Sequence, residues 1–231
     1  MSNKVILGDC YEILKTLEKN SVDLILTDPP YNISRPSNFK KNSDNKKFNN
    51  ISIEFGQWDE NEIDLDSLFC EFKRILKSGG TIVIFYDVWK CSNLKRIAES
   101  YGFKQPRICQ WVKTNPVPIN SKKNYLSNAI EFFCVFVKDK KGVFNSKYDK
   151  GIYNYPICHG HERTKHPTQK PLELMKVLIE KHSSEEDVIL DPFGGSGTTA
   201  VAALQTKRKY ILIEKLTEYY NISLDRIQQH T

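Results

Sequence analysis

The sequence predicts one α/β domain: a mostly parallel sheet with an antiparallel edge and helices on both faces. Three observations lead there. Short runs with the β-branched and aromatic content of buried strands alternate with stretches of helical period, a pattern that makes parallel strands covered on both sides. The runs over residues 107–112 and 130–137 have no helical stretch between them, only a connection through Pro116 and Pro118, so this pair is expected to be antiparallel. The 231 residues, 39% hydrophobic and 27% charged, suffice for one substantial core and contain no internal repeat or heptad run.

Taken in order, a strand over residues 5–7 runs through Gly8-Asp9 into a helix over 11–17, where Asp9 stands at an N-cap position. The strand over 22–26 runs into Asp28-Pro29-Pro30-Tyr31, whose two prolines lock the chain and remove two N–H donors. A helix over 65–76, a strand over 81–86 and a helix over 94–100 precede the antiparallel pair. A helix over 171–181 opens on Pro171, favoured in a first turn, and strand 188–190, helix 198–204, strand 210–213 and helix 217–228 complete the pattern. Two polar stretches interrupt it. One follows Tyr31; the other, longer and irregular, follows Val137 and holds Tyr148, Tyr153, Tyr155, His159, His161 and His166. Both lie at or near the carboxyl ends of strands, the edge of an open α/β sheet where ligands bind.

Composition excludes several classes. Val5-Ile6-Leu7 is broken at once by Gly8-Asp9, unlike a signal peptide, and no apolar run approaches the roughly 18 residues of a membrane span. A cytoplasmic protein without a membrane partner is expected. The six cysteines form no Cys-x-x-Cys pair and read as free thiols. Cys158-His159-Gly160-His161 with His166 lacks a second close ligand pair, so no metal is expected. The net charge is +6, concentrated in two places: residues 35–50 hold five basic residues against one acid, and residues 138–170 hold eight against three. Solvated loops have this composition, and so does an electrostatic footprint for a polyanion such as DNA.

Residues 188–200, Val-Ile-Leu-Asp-Pro-Phe-Gly-Gly-Ser-Gly-Thr-Thr-Ala, form a strand, a glycine-rich turn and a helix start. Glycines let the backbone approach a ligand closely, and the helix start offers free N–H groups. Gly195, Gly197 and Ala200 match a dinucleotide pattern, with Glu214 ending the next strand, whereas a phosphate loop is disfavoured because no Lys follows the glycines. A structural turn, an NAD-type site and an S-adenosylmethionine site all satisfy these residues. Asp28-Pro29-Pro30-Tyr31 narrows the choice. A carboxylate, a rigid carbonyl and an aromatic ring at a strand exit suit methylation of an exocyclic amine. Asp28 and the Pro29 carbonyl would accept both N–H protons of adenine N6 and direct its lone pair at an electrophilic methyl. Tyr31 would stack on the base once it leaves the duplex.

Gly8-Asp9, the Asp28 to Tyr31 turn, Trp111-Val112-Lys113-Thr114-Asn115-Pro116-Val117-Pro118, His166-Pro167-Thr168-Gln169-Lys170-Pro171, the Asp191 to Thr199 turn and Ile213-Glu214-Lys215 occur in this order. Together they resemble the amino-group DNA methyltransferases, specifically the permuted β class of adenine-N6 enzymes, in which Asp-Pro-Pro-Tyr precedes the cofactor turn. Phe55-Gly56-Gln57-Trp58-Asp59 is similar to the small adenine methylases that accompany MboII-type restriction enzymes. The resemblance spans nearly the whole chain. It implies a Rossmann-like methyltransferase fold that transfers a methyl group from S-adenosylmethionine to adenine N6 in a specific double-stranded DNA sequence. It further implies a restriction-modification setting, with a cognate restriction endonuclease acting on the same site, and a homodimer.

By this resemblance Asp28, Pro29, Pro30 and Tyr31 are catalytic. Asp9, Cys10, Asp28, His166, Thr168, Gln169, Lys170, Asp191, Phe193, Gly195, Ser196, Gly197, Thr198 and Glu214 bind the cofactor. Among these, Glu214 holds the ribose hydroxyls, Asp9 accepts from the cofactor adenine, and Lys170 neutralises the methionine carboxylate. Trp111, Asn115 and Pro116 shape the pocket for the base, while Lys40, Lys41, Lys46 and Lys47 contact DNA. Asp9 as a plain helix cap and Trp111 as a core aromatic stand beside these readings. Gly194 departs from the pattern, where related sequences often carry a larger residue, and implies a more open pocket wall. The division implied is a catalytic part over 16–137 with a DNA-facing loop over 32–57, a target-recognition segment over 138–165, and a cofactor part over 166–231 plus Gly8-Asp9. Cytosine-N4 methylation remains open, as do a DNA-binding module on a degenerate methyltransferase fold and an NAD-linked oxidoreductase, which would leave Asp28 to Tyr31 without a role.

The basic loop yields a prediction. Replacing Lys40, Lys41, Lys46 and Lys47 together by Gln should flatten the slope of log K for DNA against log salt by up to about 3.6, at roughly 0.9 per phosphate contact. Site preference should change little, and an unchanged slope would assign the loop to solvated surface.

Overall fold

The computed structural model describes residues 3–30, 63–116 and 126–230. The strands are β1 Lys4–Leu7, β2 Val22–Thr27, β3 Leu76–Phe85, β4 Phe103–Lys113, β5 Ile130–Lys138, β6 Ile152–Tyr155, β7 Val188–Asp191 and β8 Lys209–Glu214. The helices are α1 Cys10–Thr16, α2 Leu65–Ile75, α3 Cys91–Ser100, α4 Leu172–His182, α5 Thr198–Gln205 and α6 Thr217–Gln228. Among the described residues the strands form one sheet in the order β1-β8-β7-β2-β3-β5-β4-β6. Pairing is parallel except at β5, which runs antiparallel to both β3 and β4. The expected α/β sheet with an antiparallel edge region is therefore present.

Side-chain alternation explains the two covered faces. On β2, Ile25 joins the core under α1, α2 and α3, while Leu24 and Leu26 join the core under α4, α5 and α6. On β3, Ile82 and Ile84 point to the first core, Val83 and Phe85 to the second. The first core is aromatic: Phe69 packs edge-on to Phe103 and Phe136, with ring centroids 5.6 and 6.1 Å away. The second uses small residues where α5 lies on the sheet, with Ala200, Ala202 and Ala203 all fully buried.

The element absent from the sequence expectation is β6. It lies parallel to β4 at the sheet edge, with Trp111 opposite Tyr153. Four residues, Ile-Tyr-Asn-Tyr, inside a polar segment carry too weak a period to announce a strand. Tertiary contacts make it. Asp149 accepts from Gly151 N–H at 2.7 Å and pairs with Lys181 of α4, and Asn145 donates its side-chain amide to the carbonyls of Glu180 and Ser183. Part of the segment expected to be irregular is thus stitched to α4. Lys138, counted in its positive charge, is buried and donates to the Leu76 carbonyl at 2.6 Å. Lys140, Lys141, Lys147, Lys150, Arg163 and Lys165 stay exposed.

Trp111 is a core aromatic, 2% exposed, and its indole N–H donates to the Tyr155 carbonyl at 2.8 Å, tying β4 to β6. This favours the core-aromatic reading that stood beside the base-pocket one, the ring joining Phe133 and Tyr153 in the second core. Trp111→Phe should therefore lower the urea unfolding free energy by about 1–3 kcal/mol, the cost of leaving a buried acceptor without its donor. An unchanged urea midpoint together with lost turnover would return Trp111 to the base pocket.

Candidate active site

Strand order reverses between β2 and β7: the chain goes on from β2 to β3 on one side and from β7 to β8 on the other. At such a switch point the connections leave in opposite directions and a crevice opens beyond the carboxyl ends. Thr27, the last residue of β2, and Asp191, the last of β7, meet there through a 2.8 Å hydrogen bond from the Thr27 hydroxyl. Asp191 also accepts from Thr199 Oγ1 at 2.6 Å and from Phe193 N–H at 3.1 Å. One carboxylate thereby joins two strand ends to the first turn of α5.

The glycine-rich turn is built for close approach. Gly197 caps α5 at φ +76°, and a Cβ there would fall 2.9 Å from Ser223 Cβ on α6. At Gly194 a Cβ would lie 2.5 Å from Leu212 Cγ, so packing on β8 requires the glycine and the wall is not opened by its small size. Arg226, buried on α6, donates to Thr198 Oγ1 at 2.6 Å and buttresses the turn from behind.

Beyond the strand ends lies a cavity of about 390 Å³. Every residue expected to bind the cofactor, Asp28 among them, lines it except Gly197, and Pro30 lines it as well. Pro29 is buried. Ile63, Met175, Leu216 and Tyr219 also line it and carry no local sequence signal; the tertiary fold brings them here. Tyr31, Lys40, Lys41, Lys46 and Lys47 lie outside the described residues. Asn115 and Pro116 do not line the cavity; Asn115 Oδ1 accepts from Ile157 N–H at 2.7 Å and holds the chain beyond β6.

Several expected ligands have protein partners. Asp9 is the N-cap of α1, accepting from Tyr11 N–H at 2.9 Å, and Lys215 hydrogen-bonds to its other oxygen and holds its pKa below the ordinary value. Glu214 accepts from Gly195 N–H at 2.7 Å and from Leu216 N–H at 2.8 Å, each oxygen keeping a further lone pair for a hydroxyl. Gln169 uses both ends of its amide internally, accepting from Thr164 and donating to the Glu162 carbonyl at 2.8 Å. Cys158 Sγ donates to the Gln169 carbonyl at 3.4 Å. Among the described residues no group of three or more His, Cys, Asp or Glu side chains is placed to hold a metal ion.

Lys170 differs most from expectation. Instead of standing ready for a carboxylate of the cofactor, it is 6% exposed and paired with Asp28 Oδ2 and, at 3.3 Å, with Glu131 Oε2. Glu131 opens β5 and takes a second cation, Lys113 of β4, at 2.8 Å. Sequence reading placed Glu131 in a strand and assigned it nothing. A charged residue at the mouth of an otherwise apolar strand was the available signal. Burial pushes the Asp28 carboxyl above its ordinary pKa, with Lys170 opposing. His166 packs edge-on to Tyr219 at 4.5 Å, and burial drops its pKa to about 4, leaving the ring neutral.

Two buried atoms on this lining, Asp28 Oδ1 and His166 Nδ1, have no hydrogen-bond partner. Orphaned polar atoms in a cavity point to a ligand that supplies the missing partners. Asp9, Asp28 and Glu214 give the lining an acidic character suited to a cationic sulfonium and ammonium. The turn N–H groups, apolar Phe193 and Ile63, and the hydroxyl-accepting Glu214 suit the remainder of S-adenosylmethionine.

A parallel sheet with its cavity at the switch point, a glycine turn and an Asp-Pro-Pro strand exit define the S-adenosylmethionine-dependent methyltransferase class. A family model described as DNA methylase, of the N6/N4 type, matches residues 22–225, and the chain belongs to that family. It is 32% identical over 250 residues to the type II methyltransferase M.HinfI of Haemophilus influenzae, covering 98% of this chain and 68% of that protein. It is 31% identical over 243 residues to the type II methyltransferase M2.MboI of Moraxella bovis, covering 97% and 87%. The crystal structure of the M1.HpyAVI–SAM complex superposes with a TM-score of 0.75 at 31% identity, over 97% of this chain and 98% of that one. The cytosine-N4-specific PvuII DNA methyltransferase shares the fold, with a TM-score of 0.73 at 19% identity over 98% and 86%. The chain is a DNA methyltransferase that uses S-adenosylmethionine. Among the described residues no helix is long and apolar enough to cross a membrane.

Asp191 makes the site sensitive to pH. Burial pushes its carboxyl up from 3.8 to about 7, so between these values the native state binds a proton that the unfolded chain has lost. Its contribution to stability is full below the unfolded value and is lost as pH rises through the folded one. Asp191→Asn keeps an acceptor for Thr27 and Phe193, and should remove this component. The urea midpoint of the variant should fall less than that of the wild type between pH 4 and pH 7. Parallel curves would mean that Asp191 is ionised in the native protein.

Proposed function

We propose that this DNA methyltransferase transfers a methyl group to N6 of adenine in a specific double-stranded DNA sequence, as the modification partner of a restriction endonuclease that reads the same site. One observation carries the chemistry: Asp28 stands at the switch-point cavity with Oδ2 held by Lys170 and Oδ1 buried without a partner. An acceptor fixed on one side and vacant on the other fits an amino N–H. The order of motifs, Asp-Pro-Pro-Tyr before the glycine turn, and the likeness to type II relatives support adenine and the restriction setting.

The cofactor, when bound, would supply an electrophilic sulfonium methyl, whose carbon the amine lone pair would attack in line, with the neutral thioether leaving with the S–C electron pair. Asp28 Oδ1 accepts one N–H of the target amine and the Pro29 carbonyl the other, drawing the nitrogen toward a tetrahedral shape. Once the N–CH3 bond forms, the nitrogen sheds a proton along the hydrogen bond to Asp28, which passes it to solvent. Tyr31 stacks on the base outside the duplex. His166, neutral and buried, presents a ring nitrogen to the cofactor, and Glu214 receives its hydroxyls. The loop over 32–57 and the exposed cations of the segment over 138–165 contact DNA phosphates. A homodimer is the assembly we propose from the family resemblance.

Asp28→Ala should abolish transfer, by at least the 10²- to 10³-fold typical of a lost preorganised contact, while cofactor affinity measured by calorimetry falls far less than turnover. Mass spectrometry of digested product DNA should show N6-methyladenine. Wild-type turnover in the variant, or methylcytosine alone in the product, would overturn the reading.

A further inference from the structure

The geometry points to Glu131 and Lys113 as positioning residues that set the acceptor strength of Asp28 through Lys170. The inference rests on the role given to Asp28 above. Four charged side chains from four separate parts of the chain meet in a row: Asp28 after β2, Lys170 before α4, Glu131 at the start of β5 and Lys113 at the end of β4. Lys170 is shared between two carboxylates, and Glu131 between two ammonium groups. All four are largely withdrawn from water, so their mutual interactions are poorly screened.

Such a row does what a lone Asp28–Lys170 pair would not. A buried carboxylate facing one ammonium with no competitor is a tightly neutralised pair and a weak acceptor. Glu131 draws part of the Lys170 charge toward itself, leaving Asp28 pinned by one oxygen but still basic at the other, which faces the cavity without a partner. Lys113 limits that effect by holding Glu131 from the far side at 2.8 Å. The ring of Phe85, with its centroid 5.0 Å from Lys170 Nζ, fixes the ammonium position. Among the described residues, the charged groups acting on Asp28 include Lys170, Glu131, Lys113 and, from β7, Asp191.

Each member has a sign, and the test reads it. The acidic limb of kcat/KM for methyl transfer reports ionisation of the free enzyme. Glu131→Gln removes a negative neighbour and should move the limb to lower pH while reducing kcat at neutral pH about tenfold, Asp28 being over-neutralised. Lys113→Met and Lys170→Met remove positive neighbours and should move it to higher pH, Lys170→Met by about 1 unit or more, with activity recovering as pH rises. Thermal unfolding without cofactor serves as the folding control, and a Glu131→Gln protein too unstable to assay is replaced by Glu131→Met, which removes the same negative charge. Displacements of opposite sign for opposite charges support the ladder. Displacements of one sign, or none, overturn it and leave the Asp28 reading intact, whereas full turnover by Asp28→Ala overturns both.

Discussion

The hydrogen bonds of one buried carboxylate, Asp191, tie together the parts on which the site depends. By accepting from Thr27, Thr199 and the Phe193 N–H it locks the ends of β2 and β7 side by side at the point where strand order reverses. Two walls of the cavity hang from those strand ends, the Asp-Pro-Pro exit on one and the glycine turn with the start of α5 on the other. A carboxyl so enclosed is stabilised in its protonated form, which lets it serve as donor or acceptor without the full cost of a buried charge. The crevice follows from topology, and Asp191 keeps it in register.

A second constraint is the concentration of buried polarity around that crevice. Ionised groups withdrawn from water are costly unless each finds partners, and truncating one partner of a buried pair typically costs 3–5 kcal/mol. The molecule meets the constraint by sharing. Lys170 serves Asp28 and Glu131, Glu162 holds both the start of α4 and Cys158, and Glu214 receives two backbone N–H groups. Where sharing stops, at Asp28 Oδ1 and His166 Nδ1, the unsatisfied atoms mark the surface a ligand completes. Stability and function are coupled here: the same desolvation that strains the free site strengthens its contacts to a bound reactant.

Legibility varied with how local the cause of each feature was. The strand of residues 22–26 and the strand-turn-helix of residues 188–204 were readable because hydrophobic runs, prolines and glycines act within a few residues of themselves. Thirteen of the fourteen expected cofactor residues do line the cavity, since they cluster in short motifs at strand ends. Trp111 stayed ambiguous, because a tryptophan ahead of a proline-rich stretch has the same local signature whether it faces a base or the core. Its burial against Tyr153 and its bond to the Tyr155 carbonyl depend on β6, a strand held by pairing with β4 and by the anchoring of Asp149 and Asn145 to α4.

The sequence by itself determined the α/β class, the alternation that clothes both faces of the sheet, the chemistry of the Asp-Pro-Pro turn and the glycine turn, and the acidic end of β8. These follow from φ restriction, hydrogen-bond capacity and side-chain period, all local properties. Only the tertiary structure decided who pairs with whom. Lys170 went to Asp28 and Glu131, Arg226 to the back of the glycine turn, and Tyr219 to His166. Such partnerships join residues up to 142 positions apart. They are selected by desolvation and packing once strand order has been set, and no local pattern encodes the distance between two elements that meet only in the folded sheet.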